Sequence, residues 1–164
     1  MKLRRSRPQR ALLPVVLACA LPGAAHALDA ACAKAITQAN LKQIDAPAFH
    51  SVKRFSGTSL EVIKANGKLY QRLGTEPWAP ASFTVQELRE AVQVAERALQ
   101  SCERGGTDTV DGIPAQVFRF SVKGPMGEVV AAQVWVGTQD GLPRREDSAT
   151  VKATTSYRNV TAPL

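Results

Sequence analysis

Cysteine is the residue type in this chain with the most chemistry to offer, and its spacing argues for a structural bridge rather than for catalysis. There are three, Cys19, Cys32 and Cys102. None shares the CxxC spacing that lowers a thiol pKa for redox work. His50 is the single histidine after residue 27, so a zinc site of the usual Cys/His spacing is not available either. Next to Phe49 on an extended segment, His50 reads as a half-buried structural residue. The chain has no GxSxG elbow, no glycine loop to cradle phosphate and no HExxH pair. The acidic pairs Asp108/Asp111 and Glu146/Asp147 fall at turns or in a mixed-charge strand and read as solvated surface. Asn159-Val160-Thr161 matches a glycosylation sequon, a pattern common by chance. No catalytic residue, metal or cofactor is expected, and a hydrolase would require a paired nucleophile and base that the sequence does not reveal.

The compartment decides how the cysteines behave. Lys2, Arg4, Arg5, Arg7 and Arg10 form a basic head, followed by the apolar run Ala11–Leu21, the helix-breaking Pro22-Gly23 and the small-residue pattern Ala25-His26-Ala27. This is the layout of a secretory signal peptide, residues 1–27, and the run is too short for the ~20 apolar residues of a membrane span. The mature chain is expected to start at Leu28 in a bacterial periplasm. Cys19 leaves with the leader, and Cys32 and Cys102 remain as an even pair in an oxidising compartment, where one disulfide is the default and two free buried thiols the alternative. A second processing route is open. Val16-Leu17-Ala18-Cys19 loosely resembles a bacterial lipobox, in which Cys19 would be lipidated and anchor the protein to the envelope.

The leader also distorts the charge. Of 21 basic residues five lie in it, and none of the 14 acidic ones do, so the formal +7 falls to 16 basic against 14 acidic, a net +2. Without a basic stripe interleaved with aromatics, nucleic acid is excluded as a partner. No stretch after Leu28 is apolar enough for an integral membrane span. Residues 28–164 make a single domain, long enough for one core.

The elements follow from periodicity. Asp29 caps a helix predicted over 30–43, with Cys32, Ile36 and Ala39 on one face. Strands are predicted over 49–55 and 59–65, then a hairpin at Asn66-Gly67 and a return strand over 68–73. Leu60, Val62, Leu69 and Leu73 fall at even spacings, as for one buried face. Thr84 and Glu87 form a capping-box pattern. Beyond it Leu88, Val92, Ala95, Leu99 and Cys102 make one continuous stripe, predicting a second helix that runs to Gly105-Gly106 and carries Cys102 at its end. A Cys32–Cys102 bridge would then lock two antiparallel helices side by side. The last third reads as antiparallel meander: 107–110, 113–123, 128–137, 142–148 and 150–160, with turns at Asp111-Gly112, Gly124–Gly127 and Asp140-Gly141. Sequential antiparallel strands with helices held apart from them make an α+β domain. The strand 129–136 is apolar on both faces, Val130, Ala132, Val134 and Val136 against Val129, Ala131 and Trp135. It is therefore covered on both sides, by the rest of the chain or by a ligand or partner.

The C-terminal third carries a resemblance. Val110-Asp111-Gly112-Ile113-Pro114-Ala115 leading into 116–122, then Val134-Trp135-Val136, Asp140-Gly141-Leu142-Pro143-Arg144-Arg145 and Tyr157-Arg158-Asn159-Val160 resemble small secreted bacterial proteins of the LolA/LppX-like periplasmic lipoprotein-carrier superfamily. The resemblance covers mainly residues 107–163. It implies a curved antiparallel β-sheet, an incomplete barrel, with two helices on its concave face, and in the carriers that concavity holds acyl chains. No family site residue transfers. The expected function is a non-enzymatic periplasmic protein binding an apolar ligand, a lipid or lipidated partner, between sheet and helices. The groove candidates are Phe118, Phe120, Val122, Val134, Trp135 and Val136, with Trp78 and Tyr157 as further aromatic anchors. The competing reading is an envelope protein-interaction or accessory domain with a self-filled core. Oligomeric state is not readable from the sequence.

Overall fold

The computed structural model describes residues 28–124 and 126–164. The leader and the Cys19 alternative lie outside the described residues. Helix α1 spans Ala30–Asp45, its first turn held by the Asp29 carboxylate, which accepts from the Ala31 N–H at 2.9 Å. Pro47, just beyond the Ala46 cap, cannot continue it. Its alanine-rich face buries Cys32, Ala33, Ile36, Ala39 and Ile44. Strands β1 (Phe49–Phe55), β2 (Thr58–Ala65) and β3 (Lys68–Leu73) form a meander, with a two-residue strand β4 (Ala79–Pro80) on β3. Asn66 and Gly67 turn the β2–β3 hairpin with φ of 52° and 72°, the positive pair that a type I′ turn needs.

Helix α2 spans Val85–Ala98, and both halves of the Thr84/Glu87 capping box form. Strand β5 (Leu99–Val110) follows without a linker, then β6 (Ile113–Lys123), β7 (Val129–Gly137), β8 (Pro143–Ser148) and β9 (Val151–Ser156). All pairings between these strands are antiparallel, in the order β4-β3-β2-β1-β9-β8-β7-β6-β5, and Leu28 adds an isolated parallel bridge to Cys102 of β5. Two meanders thus meet where β1 pairs with β9. The fold is α+β, with two helices on a nine-stranded antiparallel sheet that is not closed into a barrel.

This topology gives α2 its task. The chain leaves one edge of the sheet at β4 and re-enters at the opposite edge, β5, so α2 carries it across the whole width. A helix of this length measures about 21 Å, while nine strands laid flat would span about 38 Å. Curling the sheet brings the two edges within the reach of α2 and a short linker.

The second helix ends seven residues before Gly105-Gly106, which corrects the predicted continuation. Leu99 and Cys102 keep the helical phase of Leu88 and Val92 by coincidence and lie on β5 instead. The glycine pair is a bulge: the β5–β6 register shifts between Arg104 and Thr107. Gln116 holds that bulge, its amide donating to the carbonyls of Gly105 (2.6 Å) and Gly106 (2.9 Å). The Cys32–Cys102 disulfide forms, with 5.7 Å between Cα atoms, but it ties α1 to the edge strand β5 rather than one helix to the other. Both cysteines are buried in a cluster with Ile36, Ala39, Phe118, Val134 and Val136, so α1 and the bridge close this half of the helix side.

Candidate ligand groove

Strand alternation sorts the six predicted groove residues. The β5–β6–β7 register places Phe118, Phe120, Val122, Val134 and Val136 on the helix side and Trp135 on the outer side. Phe118, Val134 and Val136 lie beneath α1, which occupies the space above these three, while Phe120 packs beside them and also lines an open depression of about 500 Å³ with Cys102, Ser121 and Ala132. Trp135 packs with Ala115, Val117 and Val110. Its indole N–H donates to Asp108 at 2.9 Å, and the Arg145 guanidinium stacks on its ring at 4.6 Å. The hydrogen bond from Trp135, followed by one from the Thr109 N–H, holds the Asp108 carboxyl below its usual range. Both apolar faces of β7 are thereby covered by the chain itself at these positions. Of the other aromatic anchors, Trp78 joins the outer cluster of Ile63, Ala65 and Tyr70, together with Val160 and Ala162. Tyr157 donates its hydroxyl to the Pro143 carbonyl at 2.8 Å beneath the Arg144 guanidinium.

The open space lies beside this closed half. A cavity of about 470 Å³ runs between α2, the C-terminal half of α1 and strands β1, β2, β8 and β9. Leu88, Ala91, Val92 and Ala95 of α2 face it, and Phe49, Leu60, Val62 and Ala153 form its floor. A volume of this size falls within the ~300–1,000 Å³ of small-molecule sites. A larger depression, about 800 Å³, opens at the tips of the β1–β2 and β8–β9 hairpins, but turn residues and the polar side chains of Arg54, Ser56, Thr58 and Lys152 line it.

Two observations distinguish this cavity from a gap in an ordinary core. Helix α2 is amphipathic, yet none of its residues is buried. A helix that seals a core buries its apolar stripe. The burial of β2 is also inverted. Leu60 and Val62 point to the helix side and are only half-buried, whereas Glu61, Ile63 and Ala65, on the outer side, are buried. Leu60, Val62, Leu69 and Leu73 do share a face, as their spacing predicts, but it is the groove face and not the buried one; Leu73 is 45% exposed.

The outer side earns its burial with a polar cluster that the sequence reading did not assemble. Glu61 accepts from Arg72 Nε (3.0 Å) and Nη2 (2.8 Å) on one oxygen and lies 2.8 Å from His50 Nε2 on the other. Arg72 stacks on Trp78 at 4.8 Å, and the His50 ring meets Trp78 edge-on. Burial pushes the Glu61 carboxyl up, but the hydrogen bonds from His50 and Arg72 outweigh it, and the net shift is downward from 4.5. His50 is thus a structural partner, and among the described residues no group of three His, Cys, Asp or Glu side chains is placed to hold a metal. No described helix is long and apolar enough to cross a membrane.

The groove residues on β1, β2, β9 and α2 went unrecognised in the sequence. One signal for them was present: the helix-facing positions of β1 read Phe49, Ser51, Lys53, apolar at one end and polar at the other, which a sealed core would not tolerate.

No protein-family model matches this sequence, and no curated protein matches it significantly. Solved structures do share its fold. The lipoprotein LppX of Mycobacterium tuberculosis superposes with a TM-score of 0.53 at 15% identity, over 81% of this chain and 98% of LppX. LprF from Mycobacterium bovis superposes with a TM-score of 0.50 at 12% identity, over 84% of this chain and 98% of LprF. The chain has the open-sheet α+β fold of these two proteins.

Proposed function

We propose that this is an exported, non-enzymatic protein of the bacterial envelope that binds an apolar ligand, a lipid or the acyl part of a lipidated partner, in the groove under α2. The observation that carries this reading is an amphipathic helix laid over a cavity of about 470 Å³ with none of its residues buried. Such a stripe gains its burial only when something fills the groove. The fold shared with a mycobacterial lipoprotein and the likeness to periplasmic lipoprotein carriers support the same reading, and so does the disulfide, which suits an oxidising compartment.

Each methylene moved from water into such a groove contributes about 0.8 kcal/mol, or about fourfold in affinity. Fluorescent fatty acids of increasing length should therefore bind progressively tighter until the groove is full. Native mass spectrometry of the exported protein provides the second arm, in which a co-purifying acyl-sized mass supports the reading. A clean unliganded mass together with no uptake of any chain length overturns it, in favour of an accessory domain with a self-filled core.

A further inference from the structure

The polar residues at the mouth of the groove identify the kind of head group it takes. On β1 the helix-facing residues grade from closed to open: Phe49 is 3% exposed, Ser51 6%, and Lys53 is exposed. A ligand's apolar tail therefore lies toward Phe49 and its head toward Lys53. The cross-strand neighbours of Lys53 on this side are Leu60 of β2 and Ala153 of β9. On the far side of Ala153, in register, stands Glu146 of β8, which also lines the cavity. An ammonium and a carboxylate thus flank one buried alanine at the same level of the mouth, about 10 Å apart at the backbone.

Neither has a hydrogen-bond or ion-pair partner among the described residues. The other charges around the groove are committed. Lys64 Nζ donates to the Ile44 carbonyl at 2.6 Å, at the end of α1. Arg89 pairs with Asp45. Arg145 is turned to the outer side, paired with Asp147 and stacked on Trp135. One free cation and one free anion, side by side over an apolar cavity, complement a head group that carries both charges.

We propose that the groove selects a zwitterionic amphiphile, its anionic group on Lys53 and its ammonium on Glu146, with the tail running under α2 toward Phe49. This deepens the acyl-binding reading above and rests on it. A phosphate-plus-amine head group fits the pair. A fatty acid satisfies Lys53 and faces Glu146 as a like charge, and a neutral glyceride satisfies neither.

The test compares palmitoyl lysophosphatidylethanolamine, palmitic acid and monopalmitin, each below its critical micelle concentration, by displacement of a fluorescent acyl probe from the mature protein. The zwitterion should bind tightest. Lys53→Gln and Glu146→Gln should each weaken it by about fivefold, a larger loss than either causes for monopalmitin, and that loss should shrink in high salt. If Lys53→Gln weakens binding and Glu146→Gln strengthens it, the site is anion-selective and the proposal fails. Equal affinity for all three lipids in the wild type and both variants places the head group elsewhere and overturns it as well. Those failures leave the acyl-binding reading standing, because monopalmitin still binds. Only the failure of all three lipids to displace the probe removes both.

Discussion

Truncating Leu88 tests whether α2 lines a groove or seals a core, because the two arrangements differ in what a missing side chain costs. Fully burying a leucine is worth about 1.5–3 kcal/mol. Leu88 is only half-buried and faces a cavity that already exists, so Leu88→Ala forfeits about 1 kcal/mol and adds no new void. Ile36 provides the internal standard. It is 7% exposed within the closed cluster under α1, where truncation to alanine also leaves a cavity and costs about 2–5 kcal/mol. For a chain of this size each kcal/mol moves the melting temperature by about 3–4 °C. Calorimetric melting of the lipid-free mature protein should therefore show a drop of about 4 °C for Leu88→Ala and about 10 °C for Ile36→Ala. Acyl-probe affinity should follow the opposite order, weakening more for Leu88→Ala. If the two variants lose the same stability, the apolar stripe of α2 is part of a filled core and the groove reading is wrong.

Three further expectations, two from the structure and one from the sequence, are open to direct measurement. Removing the bridge in Cys32→Ala/Cys102→Ala, with alanine chosen because both sites are buried, should cost about 4 kcal/mol by releasing a loop of 70 residues; a variant that melts with the oxidised wild type would refute that. Glu61 is held below 4.5 in the folded state, so its contribution is present above that value and lost as pH falls through the folded pKa. Glu61→Gln should accordingly cost about 1–3 kcal/mol at neutral pH, with the gap to wild type narrowing as pH falls below 4.5 in acid-unfolding titrations; a constant gap would show that the carboxylate is not the origin. Intact-mass analysis of protein recovered from the producing bacterium should give a chain beginning at Leu28, two hydrogens lighter than its reduced form, whereas a diacylated Cys19 terminus would establish the tethered alternative.

What was legible in the sequence was local, and what was missed depended on partners far along the chain. Asn66-Gly67 must turn because of its own backbone preferences, and Thr84 and Glu87 satisfy each other across three residues. Both were readable without knowing the fold. Alternation in β7 likewise separated its two faces, although it could not say that α1 would occupy the side holding Val134 and Val136, and the groove candidates grouped Trp135 with these residues of the opposite face. The end of α2 was misjudged because Leu99 and Cys102 fit the helical stripe as well as a strand. The deciding partner of Cys102 is Phe120, across the β5–β6 ladder, and that pairing has no local signature. The groove was missed for the same reason. Its walls come from β1, β2, β8, β9 and both helices, so no contiguous segment carries its pattern.

The groove is better understood as a consequence of topology than as a defect of packing. Because β1 pairs with β9, the two meanders form one sheet whose outermost strands are β4 and β5, and the connection between those strands runs through α2. A helix that must bridge two edges of a curled sheet is set by where the edges lie, not by the depth of the floor beneath it. Helix α1 has no such constraint. It is fastened to β5 at its start, through Cys32–Cys102 and through the Asp29 N–H, which donates to the Cys102 carbonyl, and its Ile36 and Ala39 meet Val134 and Val136. The same sheet thus carries one helix fixed to its floor and one suspended across it, and the suspended helix is the one whose apolar face remains unburied. On this argument the disulfide serves the groove indirectly: by holding α1 and the β5 edge together, it fixes one wall and one anchor of α2 at once. Loss of the bridge should then loosen acyl binding as well as stability, even though neither cysteine lines the cavity.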